Sequence, residues 1–222
     1  MIKPIKFLSL FLLLTLFSTY IPNHKTENKS VFFSIKNIEV ENAKILDSDV
    51  IIKEIESIKG KNLLFINRKT IQDNLVKFDF ISNFRVKRIY PDTIKILIFE
   101  KKPVAIYLDG KNRFYISEKG SLIKFIELKD FKDLPMVFGK KINFKKIFIE
   151  LKKVNFPINE IKSFHYFDIG RWDITLKNDK VIKLPTNNYI QKLKNFILIS
   201  NDKSFDQYKI FDYRVKDQLI LN

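Results

Sequence analysis

His24 and His165 are the only histidines in the sequence, and they show no metal-ligand spacing with each other. Asp109, Glu118 and Asp212 are carboxylates of the kind acid–base chemistry pairs, but each falls at a turn or strand end, where such residues are ordinary. There is no Gly-x-Ser-x-Gly elbow and no phosphate-binding loop. Cysteine is absent, which excludes disulfide scaffolds, cysteine zinc sites and thiol catalysis. The chain reads as non-enzymatic, with no cofactor and no small-molecule substrate expected.

A net charge of +16 invites a nucleic-acid reading, because clustered cations release counterions from phosphates. Of 41 basic residues only six are arginine, however, and the lysines are spread among Ile, Asn and Phe along the whole chain. That dispersal reads as composition rather than as a phosphate-reading face, so no nucleic-acid partner is expected. With 45% hydrophobic residues over 222 positions, the chain has material for two small cores.

The elements that position any binding residues begin with "IKFLSLFLLLTLFSTYI". Residues 1–6 read as a short cytoplasmic tail and 7–22 as a transmembrane helix with Phe7, Leu8, Leu10, Phe11, Leu12, Leu13, Leu14, Leu16 and Phe17 facing lipid and Tyr20 at the interface. A cleaved signal peptide is the competing reading, against which no small-x-small site follows the run. The polar stretch 23–30 reads as a linker.

Two amphipathic helices follow a strand over 31–40. Asp47 or Ser48 can cap the first, whose Ile51, Ile55 and Ile58 share one face and which Gly60 ends. Asn67 can cap the second, with Ile71, Leu75 and Phe78 on its inner face. Then Val86–Ala105, "VKRIYPDTIKILIFEKKPVA", reads as a hairpin turning at Tyr90-Pro91-Asp92-Thr93, whose second strand, with Ile94, Ile96 and Ile98 on one side, runs across Pro103 into a second body. The first unit is strand, helix, helix, strand, strand.

Beyond it the pattern predicts hairpins at Asp109-Gly110 and Lys119-Gly120, and a turn at "DLPMVFGK". A helix over 140–154 follows, burying Ile142, Ile147, Ile149 and Leu151, then a hairpin turning at Asn178-Asp179. A helix with Tyr189, Leu193 and Phe196 or Ile197 inward precedes two closing strands around Lys216-Asp217. The last strand, Gln218-Leu219-Ile220-Leu221, reads as an open edge able to accept an incoming strand. Trp172 reads as core rather than contact.

The strand-helix-helix-strand-strand layout beside an apolar anchor resembles a POTRA domain. "RIYPDTIKILIFEKKPVAIY" resembles the hallmark segment of the FtsQ/DivIB family of bacterial cell-division proteins. So do Gly60-Lys61-Asn62-Leu63-Leu64-Phe65, the Leu134-Pro135 to Gly139 turn, the Trp172-led strand and Asp212-Tyr213-Arg214. Ile116-Ser117-Glu118-Lys119-Gly120 departs from the family's usual Ile-Asp-x-x-Gly. The resemblance implies an α+β chain with a transmembrane helix, a POTRA domain over 31–102 and a mixed β-rich domain with flanking helices over 103–222. It implies an inner-membrane, single-pass (type II) scaffold, its bulk in the periplasm and at the septum. There it would join FtsB and FtsL by strand addition at its C-terminal edge and help control septal peptidoglycan synthesis. Arg214, Val215, Gln218, Leu219, Ile220 and Leu221, with Arg171 beside the tryptophan, are the partner-binding residues on that reading. The alternative is a POTRA-containing envelope assembly or secretion adaptor.

Overall fold

The structure, a computed structural model, describes residues 4–19, 32–140 and 143–222. The expected linker with His24, the end of the expected anchor with Tyr20, and Ile142 lie outside the described residues.

Helix α1 spans Pro4–Thr19, and its side chains from Leu8 to Phe17 are exposed. Sixteen residues at about 1.5 Å each rise less than the roughly 30 Å of a bilayer's hydrocarbon core. Among the described residues no helix is long and apolar enough to cross a membrane.

The first folded unit is a three-stranded sheet carrying two helices. Strands β1 (Asn37–Glu41), β2 (Ile81–Ile89) and β3 (Thr93–Glu100) lie in the order β1-β3-β2, with β3 parallel to β1 and antiparallel to β2. Helix α2 (Ser48–Ile55) starts where the Asp47 carboxylate accepts the Asp49 N–H, and a 3-10 turn over Glu56–Ile58 extends it. Helix α3 (Arg68–Leu75) is capped in the same way by Asn67 on Lys69 N–H. Ile51, Ile55, Ile58, Ile71 and Leu75 close over Ile94, Ile96 and Ile98, all buried in one core. The first strand is shorter than its sequence pattern predicts. Phe33 takes a left-handed φ of 57°, Ser34 makes only an isolated bridge to Asn62, and regular pairing starts at Asn37.

The second unit is a nine-stranded sheet built from β4 (Pro103–Asp109), β5 (Asn112–Ser117), β6 (Leu122–Lys124), β7 (Met136–Phe138), β8 (Ile161–Phe167), β9 (Arg171–Leu176), β10 (Val181–Lys183), β11 (Ile210–Asp212) and β12 (Ile220–Leu221). Its order is β12-β11-β10-β9-β8-β7-β4-β5-β6. Helices α4 (Phe144–Lys153) and α5 (Tyr189–Ser200) contribute Phe144, Ile147, Phe148, Leu151, Leu193 and Phe196 to a core with Phe164, Ile174, Ile182 and Phe211. Trp172 is buried there too, as its apolar face predicts.

Four expectations need correcting. No single strand runs across Pro103: β3 ends at Glu100 and β4 starts at Pro103 in the other sheet, because Glu100 turns its carboxylate to Lys44–Leu46 and Lys101 N–H is taken by the Phe80 carbonyl. Residues 136–138 are not a turn but the interior strand β7, its Val137 buried, parallel to β4 on one side and β8 on the other. Helix α4 starts at Phe144, and its register leaves Ile149 exposed while Phe144 and Phe148 go inward. The segment after Pro157 turns twice rather than once, at Gly170 (φ 91°) between β8 and β9 and at Asp179 (φ 63°) between β9 and β10.

The two units share a seam. Phe80, Tyr115 and Ile123 form a small buried cluster against Ile45, Leu46, Phe125, Leu128 and Phe131. The Tyr115 ring lies 6.0 Å from Phe80 and 5.7 Å from Phe131, its hydroxyl donates to the Ile126 carbonyl, and Lys124 N–H donates to the Asp79 carboxylate across the seam.

Candidate partner-binding edge

The alternation of β9 sends Trp172, Ile174 and Leu176 into the core and Arg171, Asp173 and Thr175 to the opposite face. Register carries that opposite face sideways: His165 pairs with Asp173, Asp173 with Lys183, Lys183 with Asp212, and Asp212 with Ile220. Cross-strand partners lie side by side on one face, so a row of charge runs toward the last strand. His165 stacks on Phe138 at 4.5 Å at the far end of the row.

Arg214 sits at the edge of this row. Its Nε donates to Asp212 Oδ1 at 2.8 Å and Oδ2 at 2.9 Å, its Nη2 also reaches Oδ2, and its backbone N–H donates to Oδ1 at 3.0 Å. The guanidinium holds the Asp212 carboxyl below the usual carboxylate range. Arg214, which the resemblance implies as a partner-binding residue, thus holds a carboxylate of its own chain. Much of its donor set is committed to its own Asp212, and the exposed remainder faces outward.

Arg171 lies on the same face with its guanidinium over the Phe167 ring at 4.3 Å. Its Nε stands 3.4 Å from Asp173 Oδ1, an ion pair without a hydrogen bond, and both atoms are buried without a hydrogen-bond partner. Burial pushes the Asp173 carboxyl up, against the pull of Arg171, Lys183 and Arg214. A carboxylate with a raised folded pKa stabilises the fold less once ionised, because the unfolded chain gives up its proton first, near pH 4. Asp173→Asn is thus expected to melt at a higher temperature than the parent at pH 7, the gap narrowing as pH falls and closing below about 4, where the carboxyl is protonated in the folded and the unfolded chain alike. Melting curves across that range check it; a gap of the opposite sign at neutral pH would mean that Asp173 is a net stabilising partner.

The last strand is shorter than expected. Only Ile220 and Leu221 pair with β11, while Gln218 and Leu219 lead into it from the turn at Asp217. Ile210 and Asn222 exchange backbone hydrogen bonds, Ile210 N–H to Asn222 O at 2.9 Å and Asn222 N–H to Ile210 O at 3.2 Å. Antiparallel pairs alternate, so Leu221 turns its own N–H and C=O away from β11. Among the described residues no strand lies beyond β12 in the sheet. Val215 and Ile220 expose apolar side chains beside it. Behind it, the Tyr213 hydroxyl donates to Asn195 Oδ1 at 2.8 Å and ties β11 to α5, its burial pushing the phenol pKa upward.

The structure thus brings Arg171, Arg214 and Ile220 onto one face, with Leu221 as the outward backbone. Sequence reasoning misses Asp173 and Lys183. The alternation around Trp172 and Ile182 was the available signal for both. The carboxylates first weighed for catalysis are scattered: Asp109 and Glu118 lie at the β4–β5 and β5–β6 turns, Glu118 paired with Lys152, and Asp212 toward the other end of the sheet. Among the described residues no three metal-capable side chains come together.

Residues 33–101 match the FtsQ-type POTRA domain and residues 105–214 the C-terminal domain of cell division protein FtsQ/DivIB. The chain belongs to the FtsQ/DivIB family. Among its relatives, the cell division protein FtsQ of Rickettsia bellii is 32% identical over 190 residues, covering 84% of this chain and 71% of that protein. DivIB of Clostridium acetobutylicum is 34% identical over 96 residues, 43% of this chain and 39% of that one. A solved structure of the major extracytoplasmic domain of DivIB from Geobacillus stearothermophilus aligns with a TM-score of 0.32 at 15% identity, over 49% of this chain and 98% of that domain. In this family member, Val215 to Leu221 lie past the segment that the C-terminal domain model matches.

Proposed function

We propose that this FtsQ/DivIB protein is a non-enzymatic scaffold of the division machinery that captures the FtsB and FtsL pair by strand addition to β12 and thereby helps time septal peptidoglycan synthesis. The observation that carries the proposal is the free side of β12, where Leu221 presents an N–H and a C=O beside the exposed Ile220 and Val215. Arg214 borders that edge as its cationic margin, held in place by Asp212, while Arg171 lies on β9 with two strands between it and β12, its guanidinium over Phe167. The exposed apolar surface of α1 supports a role for the N-terminal segment as an inner-membrane anchor that leaves residues 31–102 and 103–222 as the POTRA and β domains on the periplasmic side, at the septum.

A backbone test separates strand addition from side-chain packing. Leu221→Pro removes the outward N–H while the inward pair of Ile210 with Asn222 stays. One ladder hydrogen bond at roughly 1–1.5 kcal/mol corresponds to about tenfold in affinity. We expect Leu221→Pro to weaken binding of a labelled FtsB–FtsL pair by at least that factor relative to Leu221→Ala, which loses the same packing against the core but keeps the N–H, and Arg214→Glu to weaken binding through loss of the margin. Wild-type affinity in both Leu221→Pro and Arg214→Glu would remove β12 as the site.

A further inference from the structure

The POTRA unit carries an exposed aromatic end that its core does not use. Phe32 and Phe65 are 84% and 82% exposed, and Phe33, Leu64 and Tyr90 are exposed beside them. Three chain segments are held together to make this surface. Leu63 N–H donates to the Phe33 carbonyl at 2.8 Å, the Asn62 side chain donates to the Phe32 carbonyl and accepts the Leu64 N–H, and the Phe33 and Tyr90 rings meet edge to face at 5.6 Å. Arg88 supports the loop from within, its Nε on the Leu63 carbonyl and its Nη2 on that of Ile66. Phe33 reaches the surface in a left-handed conformation unusual for a bulky side chain. A contiguous apolar surface of this kind marks an interaction site.

Charge decides what covers it. Segments 32–36, 59–69 and 87–92 carry seven basic residues against one acid, Asp92; with Arg88 turned inward, Lys36 beside Asp92 and Lys59 on Glu56, the lysines that rim the surface are Lys61, Lys69 and Lys87. Aromatic side chains rimmed by lysines suit the headgroup zone of an anionic bilayer, where rings sit at the boundary and cations meet lipid phosphates. Twelve residues separate Thr19 from Phe32, a covalent reach of at most about 45 Å. We infer that this end of the POTRA unit, formed by Phe32, Phe33, Leu64, Phe65 and Tyr90, docks onto an anionic lipid surface. The inference rests on the proposal that α1 is membrane-anchored, since that anchor holds the patch within reach of the bilayer.

The cysteine-free chain allows one label at a time. Full-length protein carrying Leu64→Cys, Leu12→Cys or Leu198→Cys, each labelled with bimane, is reconstituted into vesicles of phosphatidylcholine with phosphatidylglycerol, or of phosphatidylcholine alone, containing nitroxide-bearing lipid. Quenching is expected at position 64 in the anionic vesicles. It should weaken in neutral lipid and high salt, and disappear when Phe32→Ser and Phe65→Ser are added. Position 198, exposed on α5, should stay bright. Quenching at position 12 without quenching at 64 leaves the anchor standing and overturns the docking surface. Quenching at 64 without 12 supports docking and removes the anchor. A label at 64 that shifts to the blue with rising protein density, without any effect of lipid nitroxide, means that a second copy covers the patch and also overturns the proposal.

Discussion

Gly139→Ala is expected to destabilise the β-rich unit strongly. Gly139 follows the three-residue strand β7 with φ at 90°, and a methyl group built there lands on the Tyr166 carbonyl, well inside van der Waals contact. The conformation itself costs a non-glycine residue about 1–3 kcal/mol. Forcing backbone away from backbone adds about 1–3 kcal/mol more, since the obstacle is a strand of the sheet and not the end of a flexible side chain. What makes the sum consequential is position: β7 is the link through which β4-β5-β6 joins β8 and the strands out to β12. Displacing Tyr166 disturbs the β7–β8 register of Met136 with Ser163 and Phe138 with His165. Urea unfolding of the variant should show a strongly lowered second transition, or, if the chain unfolds in one step, a total loss of about 2–6 kcal/mol. A variant with a parental midpoint would mean that the Tyr166 backbone relaxes freely, and would remove β7 from its structural role.

The parts of this fold legible in the sequence are those whose cause is local. Asp47 and Asn67 cap the helices they precede, Ile94, Ile96 and Ile98 alternate into one core, and Trp172 goes inside with Ile174. In each case a residue and its near neighbours contain the reason. Strand β7 carries no strand signal of its own, because three residues flanked by Pro135 and Gly139 show no alternation and their pairing depends on β4 and β8, some thirty residues away on either side. The candidate edge is of this second kind. That β12 borders the sheet among the described residues, that Arg214 spends its fork on Asp212, and that Asp173 lies buried beside Arg171 all depend on the pairing of β8 to β12. The helix within 140–154 is legible, and Ile147 and Leu151 go inward as expected; Ile149 does not, because Phe144, Ile147, Phe148 and Leu151 at i, i+3, i+4 and i+7 make the buried face and position 149 lies off it.

Glu100→Ala is expected to cost about 2–4 kcal/mol and to loosen the seam between the two units, although Glu100 touches no residue of the second one through its carboxylate. Its two oxygens accept the N–H groups of Lys44, Ile45 and Leu46 at 2.8–3.1 Å, three consecutive donors that curl around one anion. No backbone carbonyl in a sheet or helix replaces that acceptor for the loop, so its removal leaves the part-buried donors of Ile45 and Leu46 dependent on water. The same two residues press their side chains into the cluster of Phe80, Tyr115 and Ile123, and Leu46 also touches the POTRA core. Glu100 therefore sets the seam indirectly, by fixing the loop that fills it. Hydrogen exchange on the full chain should show faster exchange at the amides of residues 44–46 and, secondarily, around Tyr115, with the helix α3 amides unaffected. Glu100→Gln keeps one carbonyl oxygen but loses the charge, and should lie between the parent and alanine in both readouts. Asp79→Ala removes the direct Lys124 N–H contact across the seam without touching the 44–46 loop, so it should speed exchange near Lys124 alone. If Glu100→Ala instead speeds exchange evenly through the POTRA core while residues 44–46 stay protected, the loop is held by its side chains, and the carboxylate is a bystander to the seam.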